Sequence, residues 1–565
     1  MTLSPDPDTP PIALRPPAQV MRLERMGSFH QSRLSFMRIL LRRVVAEGWR
    51  FERSMFDIDK NGVGTALYAA HGPSRSYTLV AFAHDLPDDL RSDRVIAEAW
   101  DATFTLFDGI PTAEDVQRLA QNVPLQEAGR ISETELSLAR ANRSVRLFDH
   151  VVSRLAAGQQ PDHELIESVG YLMRTTAVYG SGKFGAADRE IIADRPEAQA
   201  PFQIEMLTVY LIRTFVLDLV EHLAQLRNPA KAVPMDPALR RRLGIGNSTG
   251  LGMAPFLINH PVLLNNWVAA REEALLRVRN VGTAKPAAVA VFTDRLARAI
   301  QNAAIWRSVH ALQQEKLTAL RRDLDRLHQH LKTTQLAAAY PWNALYQWAE
   351  VHLDLEAQEQ LVSLLLEPYP DLVDGLSTCM AADETAFTRI DGTMTLRDLA
   401  ETGAEFYSWA RDIDWTARAA QARAWYVSAE KLEPRLGERF EEPIAAYEQP
   451  LAPGRDGAAL LRDLDAWDGK TLVATFLLKH PEHRHMVQRL QILNRCPYGE
   501  IRDNTISASV LPIDMLRCKL SFFGAGHFDP RSDRWVRINM FQGAPFPHEL
   551  AAQTPDDWSY PAPPA

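Results

Sequence analysis

Over residues 28–48 the apolar positions Leu34, Met37, Leu40, Leu41 and Val44 recur every three or four residues, which predicts a helix stopped by Gly48. The pattern then changes period. The stretch WRFERSMFDIDKNGVGTALYAAHGPSRSYTLVAFAHDL divides into three strand-like runs separated by KNG and GPS turns, and residues 99–107 supply a fourth. A small α+β domain with an antiparallel sheet is therefore expected over 28–110. A flexible, proline-rich arm is expected at 1–27.

From 111 to 494 the chain becomes rich in Ala, Leu, Arg and Glu with helical periodicity, and SETE at 132–135 reads as a capping box, so a large multi-helix body is expected. Within it, 201–226 is apolar around nearly its whole circumference, the signature of a helix surrounded by others. Its Glu205, Arg213, Asp218 and Glu221 argue against a membrane span. Leu317, Leu320, Leu324, Leu327 and Leu331 form a stripe that Ile305, Val309 and Leu312 extend backward, predicting a long helix broken near Ala303. Such a stripe packs within its own chain or joins two copies; two heptads favour the former, and a homo-oligomer through the long helices stays open. Residues 495–565 read as an irregular C-terminal cap in which WVRINMF is a strand. The expected fold class is mainly α.

A chain of 565 residues exceeds one hydrophobic core, and 46% hydrophobic with 24% charged residues is the composition of an ordinary globular protein, which excludes global disorder. The net charge of −9 offers no overall positive field, so neither nucleic acid nor an anionic membrane is an expected partner. The three cysteines, Cys379, Cys496 and Cys518, form no C-x-x-C pair. With no signal-like N-terminus either, a soluble, cytoplasmic protein is expected.

Candidate chemistry comes from five stretches. DIDKNG at 57–62 resembles half of a calcium loop, but Tyr68 stands where the bidentate carboxylate belongs, so it reads as a hairpin turn. YGSGKFG at 179–185 contains G-x-G-x-x-G; the spacing before it looks helical, so it reads as a helix cap at Gly180 followed by a loop, with Lys183 as a candidate anion-binding or proton-moving amine. GIGNSTGLGMAPF at 244–256 follows a short helix, which makes Gly244 a left-handed cap. Its remaining glycines, with Asn247, Ser248 and Thr249, could converge on a carboxylate or phosphate. KHPEHRH at 479–485 lacks the H-E-x-x-H order and is explained by capping and partial burial, so no metal ligand is assigned. NRCPYGEIRDN at 494–504 concentrates Arg495, Cys496, Tyr498 and Arg502, where an arginine beside a cysteine could lower the thiol pKa and Tyr498 could donate a proton.

Together these predict an enzyme of small-molecule metabolism acting on an anionic carboxylate, phosphate or CoA-type substrate. Asn247, Ser248 and Thr249 with Arg213, Arg495 or Arg502 would hold the anion, and Lys183 or Tyr498 would move the proton. Without a nucleotide motif the expected chemistry is that of a lyase, isomerase or transferase, and the sequence assigns no cofactor. The competing reading is a helical interaction or regulatory scaffold whose leucine stripe carries the function.

Overall fold

The computed structural model describes residues 12–87, 99–125, 132–176, 189–249, 257, 260–308, 311–334, 336–382, 389–417, 426–427, 432–433, 453–502, 517–524, 527–529, 536–551, 554 and 556–558. The chain forms two compact units, each assembled from separated segments. One comprises Phe29–Ser248, Pro286–Gln335 and Lys519–Ala565; the other comprises Met1–Ser28, Thr249–Lys285 and Leu336–Cys518. The strands used below are β1 (Arg50–Ile58), β2 (Gly64–His71), β3 (Ser76–Ala83), β4 (Ala102–Asp108), β5 (Glu135–Arg143), β6 (Tyr171–Thr175), β7 (Gly244–Thr249), β8 (His527–Asp529) and β9 (Val536–Met540). The helices are α1 (Phe36–Ala46), α2 (Ala113–Asn122), α3 (His163–Val169), α4 (Gln203–Arg227), α5 (Pro261–Arg279), α6 (Pro286–Ile305), α7 (Ala311–Thr333), α8 (Leu355–Leu366), α9 (Leu396–Tyr407), α10 (Pro453–Leu464), α11 (Val473–Lys479) and α12 (Arg484–Arg495).

The first unit is built on a nine-stranded sheet of order β1-β2-β3-β4-β5-β6-β7-β9-β8. Strands β1 to β6 pair antiparallel, each with its predecessor, and β6 then pairs with β7 in parallel. The first hairpin closes as the DIDKNG reading expected: Asp59 Oδ1 accepts the N–H groups of Asn61 and Val63, and Gly62 takes the left-handed φ of +81°. One sheet face is covered by the buried helix α4, whose Phe215 meets Phe104 and Tyr68 edge-on. On the other face Leu119 and Val116 of α2 pack on Leu67, Val80, Phe82, Phe107 and Leu138. The stripe leucines Leu317, Leu320, Leu324 and Leu327 are buried where α7 packs against α6, so intrachain packing occupies them. The break in that helix falls after Ile305.

The second unit is helical. Its largest described cluster gathers Leu399 and Phe406 of α9, Leu460 and Leu461 of α10, Phe476 of α11, and Met486, Val487 and Leu490 of α12. Its N-terminal segment is tied down from Leu14 onward: Arg15 is buried between Glu272 of α5 and Glu359 of α8, and Val20, Met21 and Met26 are buried.

The mainly helical class with an antiparallel sheet near the N-terminus is thus observed, but the sheet reaches well past residue 111. The SETE segment opens β5 instead of a helix: Ser132 Oγ bonds Thr134 and Glu135 side chains, and Leu136, Leu138, Ala139 and Ala141 are buried on both faces of a central strand. A strand covered on both faces reads as a continuous apolar run, which periodicity alone does not separate from a buried helix. The helical spacing before YGSGKFG holds only for α3. It stops at Gly170, in the left-handed region at φ +76°, and β6 follows at once.

Candidate functional site

The sequence GIGNST forms β7, and its glycines answer to close packing. A side chain at Gly244 would meet Met540 O at 2.5 Å and Asn539 Oδ1 at 2.4 Å, while one at Gly246 would meet the Tyr171 ring at 2.8 Å and Arg174 Cγ at 2.9 Å. Gly244 is extended and does not supply the left-handed cap expected of it. Its place is fixed by the close approach of β9.

Strands β6 and β7 run in the same direction, with Tyr171 opposite Gly244 and Arg174 opposite Gly246, and α4 lies in the crossover between them. This is a β-α-β unit in which both strands end on one side of the sheet. Three neighbouring strands bring polar side chains to that side. On β7, buried Asn247 donates from Nδ2 to Thr175 O at 3.0 Å. On β6, Arg174 is buried, and Asn142 of β5 is its cross-strand partner. Arg140 of β5 is half-buried, lies over the Trp100 ring at 4.5 Å, and exchanges hydrogen bonds with Thr176: Thr176 N–H donates to Arg140 O at 2.9 Å and Arg140 N–H donates to Thr176 Oγ1 at 3.2 Å. Arg140 of β5, Arg174 of β6 and Asn247 of β7 therefore lie at the end of the sheet where the chain leaves β6, Arg174 on the face of Gly246 and Asn247, the next residue of β7, on the other. Among the described residues, no group of His, Cys, Asp and Glu with metal-ligand spacing occurs at these strand ends.

The other predicted site residues divide clearly. Lys183 lies outside the described residues, as do the side chains of Ser248 and Thr249 at the end of β7. Arg213 is buried on α4 and bonds three backbone carbonyls: Leu243 O at 2.8 Å, Ala544 O at 2.9 Å and Arg241 O at 3.2 Å. Its guanidinium also lies 3.9 Å from the Phe546 ring centroid. Burial pulls the Arg213 pKa down to about 9, which leaves it charged at neutral pH. The anion-holding role expected of it is replaced by a pin that joins α4 to the entry of β7 and to the turn after β9. Asp218 of the same helix pairs with Arg240 at 2.7 Å.

Tyr498, Arg495 and Arg502 belong to the helical unit. The Tyr498 hydroxyl donates to Arg15 O at 2.8 Å, and burial pushes its pKa up to about 12. Arg502 is held by Glu405, with Nη2 at 2.8 Å from Oε1, and lies over the Phe406 ring at 4.0 Å. Arg495 is exposed. Burial raises the Cys496 thiol pKa and the nearby Arg495 charge offsets only part of that, so the lowered thiol expected here is not found.

No family model, curated protein or solved structure matches this chain. Sequence reasoning missed Arg140 and Arg174. The only signal was an arginine within each of two apolar runs, which becomes legible once both runs are known to be strands.

Proposed function

We propose that the chain binds the carboxylate or phosphate of a small molecule at the carboxyl ends of β6 and β7, and that it is an enzyme of lyase, isomerase or transferase type acting on that molecule. The observation that carries this reading is the parallel pairing across the α4 crossover. Ligands of open sheets bind outside the carboxyl ends of parallel strands, where main-chain N–H groups of glycine-rich connections are free to face an anion. The glycine-rich segment YGSGKFG begins four residues after the end of β6 in sequence, and a second follows β7. Arg140, Arg174 and Asn247 supply the positive charge and the polar contacts, and Lys183, eight residues after β6 ends at Thr175, is the candidate proton carrier. The dinucleotide version of the motif is not favoured: the helix after YGSGKFG is the four-residue Arg189–Ile192, and β7 ends in Thr249 without a carboxylate for a ribose. The scaffold reading loses its main support because the leucine stripe is buried within the chain.

The test is a panel of phosphate, di- and tricarboxylates and CoA esters read by thermal shift and calorimetry. At least one class should stabilise the protein, by about 2.7 kcal/mol at a hundredfold excess over Kd. That effect should fall at least tenfold in Arg174→Gln, and Lys183→Met should keep binding while losing turnover. If no class stabilises the protein, the anion-site reading fails; if binding is undiminished in Arg174→Gln, its location fails.

A further inference from the structure

A separate cluster in the helical unit has the composition of a metal centre. Asp463 lies in the last turn of α10, while His480, Glu482 and His483 come from the turn between α11 and α12. One donor atom from each of the four lies within 4.8 Å of the other three, the sole such grouping among the described residues. His483 Nε2 is 2.6 Å from Asp463 Oδ2, and His480 Nδ1 is 3.2 Å from Glu482 Oε1.

The imidazoles are held in place before any ligand arrives. Phe476 stacks on His480 at 4.8 Å and on His483 at 5.9 Å, and Trp467 meets His480 edge-on at 5.9 Å. Pro481 fixes the turn that separates the two histidines, and His483 N–H closes it by donating to His480 O at 3.2 Å. His483 is buried, whereas Asp463 and Glu482 are exposed enough to move inward. Two pairs that each have one exposed partner contribute little on their own, about 0–1 kcal/mol each, and need no common focus. A shared focus for four donors is what a metal ion needs.

We propose that Asp463, His480, Glu482 and His483 form a zinc site that clamps the end of α10 to the α11–α12 turn. Two imidazoles and two carboxylates suit tetrahedral Zn²⁺ with bonds of about 2.0–2.2 Å. Calcium and magnesium prefer all-oxygen shells, and the absence of thiolate disfavours copper(I) and iron–sulfur clusters. The two carboxylates balance the charge of the ion, and both imidazoles must be neutral to bind it. The sequence reading set the histidines aside because KHPEHRH lacks the H-E-x-x-H order and capping with partial burial accounts for it. Asp463, seventeen residues before His480, joins them only in the fold.

The experiment uses the full, untagged chain after chelation and dialysis. Zn²⁺ titration by calorimetry should give one equivalent per chain, and Co²⁺ should give the intense visible absorption of tetrahedral coordination. His480→Ala and Asp463→Asn should each weaken Zn²⁺ binding at least tenfold, with circular dichroism of the metal-free protein unchanged; Glu482→Gln, at the surface, reads the same loss should either of these fail to fold. The proposal is overturned if the wild type binds no Zn²⁺ saturably, if Co²⁺ gives only an octahedral spectrum, or if all folded variants bind as the wild type does.

Discussion

Replacing Arg15 with methionine tests what anchors the N-terminal segment. Arg15 Nε and Nη2 contact Glu272 at 2.7 and 2.8 Å, and Nη1 and Nη2 contact Glu359 at 2.7 and 3.3 Å. Both carboxylates have side chains fully shielded from water. Burial pushes the Glu272 carboxyl pKa up, but the Arg15 charge outweighs it and holds the group below its ordinary value. Methionine fills much of the volume and removes four charge-assisted contacts while leaving both carboxylates buried. Breaking one side of a buried pair in this way costs about 3–5 kcal/mol, far more than the pair itself contributes over an apolar replacement. Arg271 remains 3.1 Å from Glu272 and Arg25 remains 3.1 Å from Glu359, which places the loss near the lower end. Urea unfolding followed by tryptophan fluorescence should show the midpoint fall with unchanged slope. Hydrogen exchange over residues 14–28 should accelerate, since the side-chain anchor of the segment is lost and only contacts such as the Tyr498 hydroxyl bond to the residue 15 carbonyl remain. Adding Glu359→Gln should recover at least 1 kcal/mol by removing a carboxylate left short of partners. A loss below about 1 kcal/mol, or no recovery in the double variant, would refute the reasoning.

Two further outcomes are expected. Gly246→Val should destabilise the protein by about 1–3 kcal/mol through overpacking, because its branches would displace the Tyr171 ring and the Arg174 stem; the same variant should lose the ligand-induced thermal shift, and normal stability would show that β7 does not approach β6 so closely. Asp556 sits among Arg38, Arg42 and Arg33; burial raises its pKa but the Arg38 and Arg42 charges dominate, bringing it down to about 2 from 3.8. The stability it contributes is complete above pH about 4 and is lost as the pH falls through about 2, amounting to about 2 kcal/mol, so Asp556→Asn should flatten acid unfolding over that window and lower the midpoint at pH 7, and a parallel shift at every pH would contradict it.

How much of this was legible in the sequence depends on the range of the physics involved. The first four strands and the hairpin at Asp59 were readable because alternation and turn chemistry act over a few residues, and α4 because a helix buried all round has no polar stripe. Strands β5 and β6 were hidden because burial on both faces erases the alternation that marks a strand. Gly244 and Gly246 carry the same lesson at the level of a residue. Glycine permits both a left-handed turn and an intimate strand contact, and the sequence favoured the first because the neighbours that demand the second, Asn539 and Arg174, are remote along the chain. The same distance hid the candidate centres. The proposed anion site depends on β6 and β7 pairing in parallel, and the proposed metal site on Asp463 of another helix reaching two histidines. Local patterning thus sets which element forms, and the pairing of remote segments sets which chemistry the elements can perform. Arg174→Gln and His480→Ala, one in each unit, test that second step independently, because neither site shares a residue with the other.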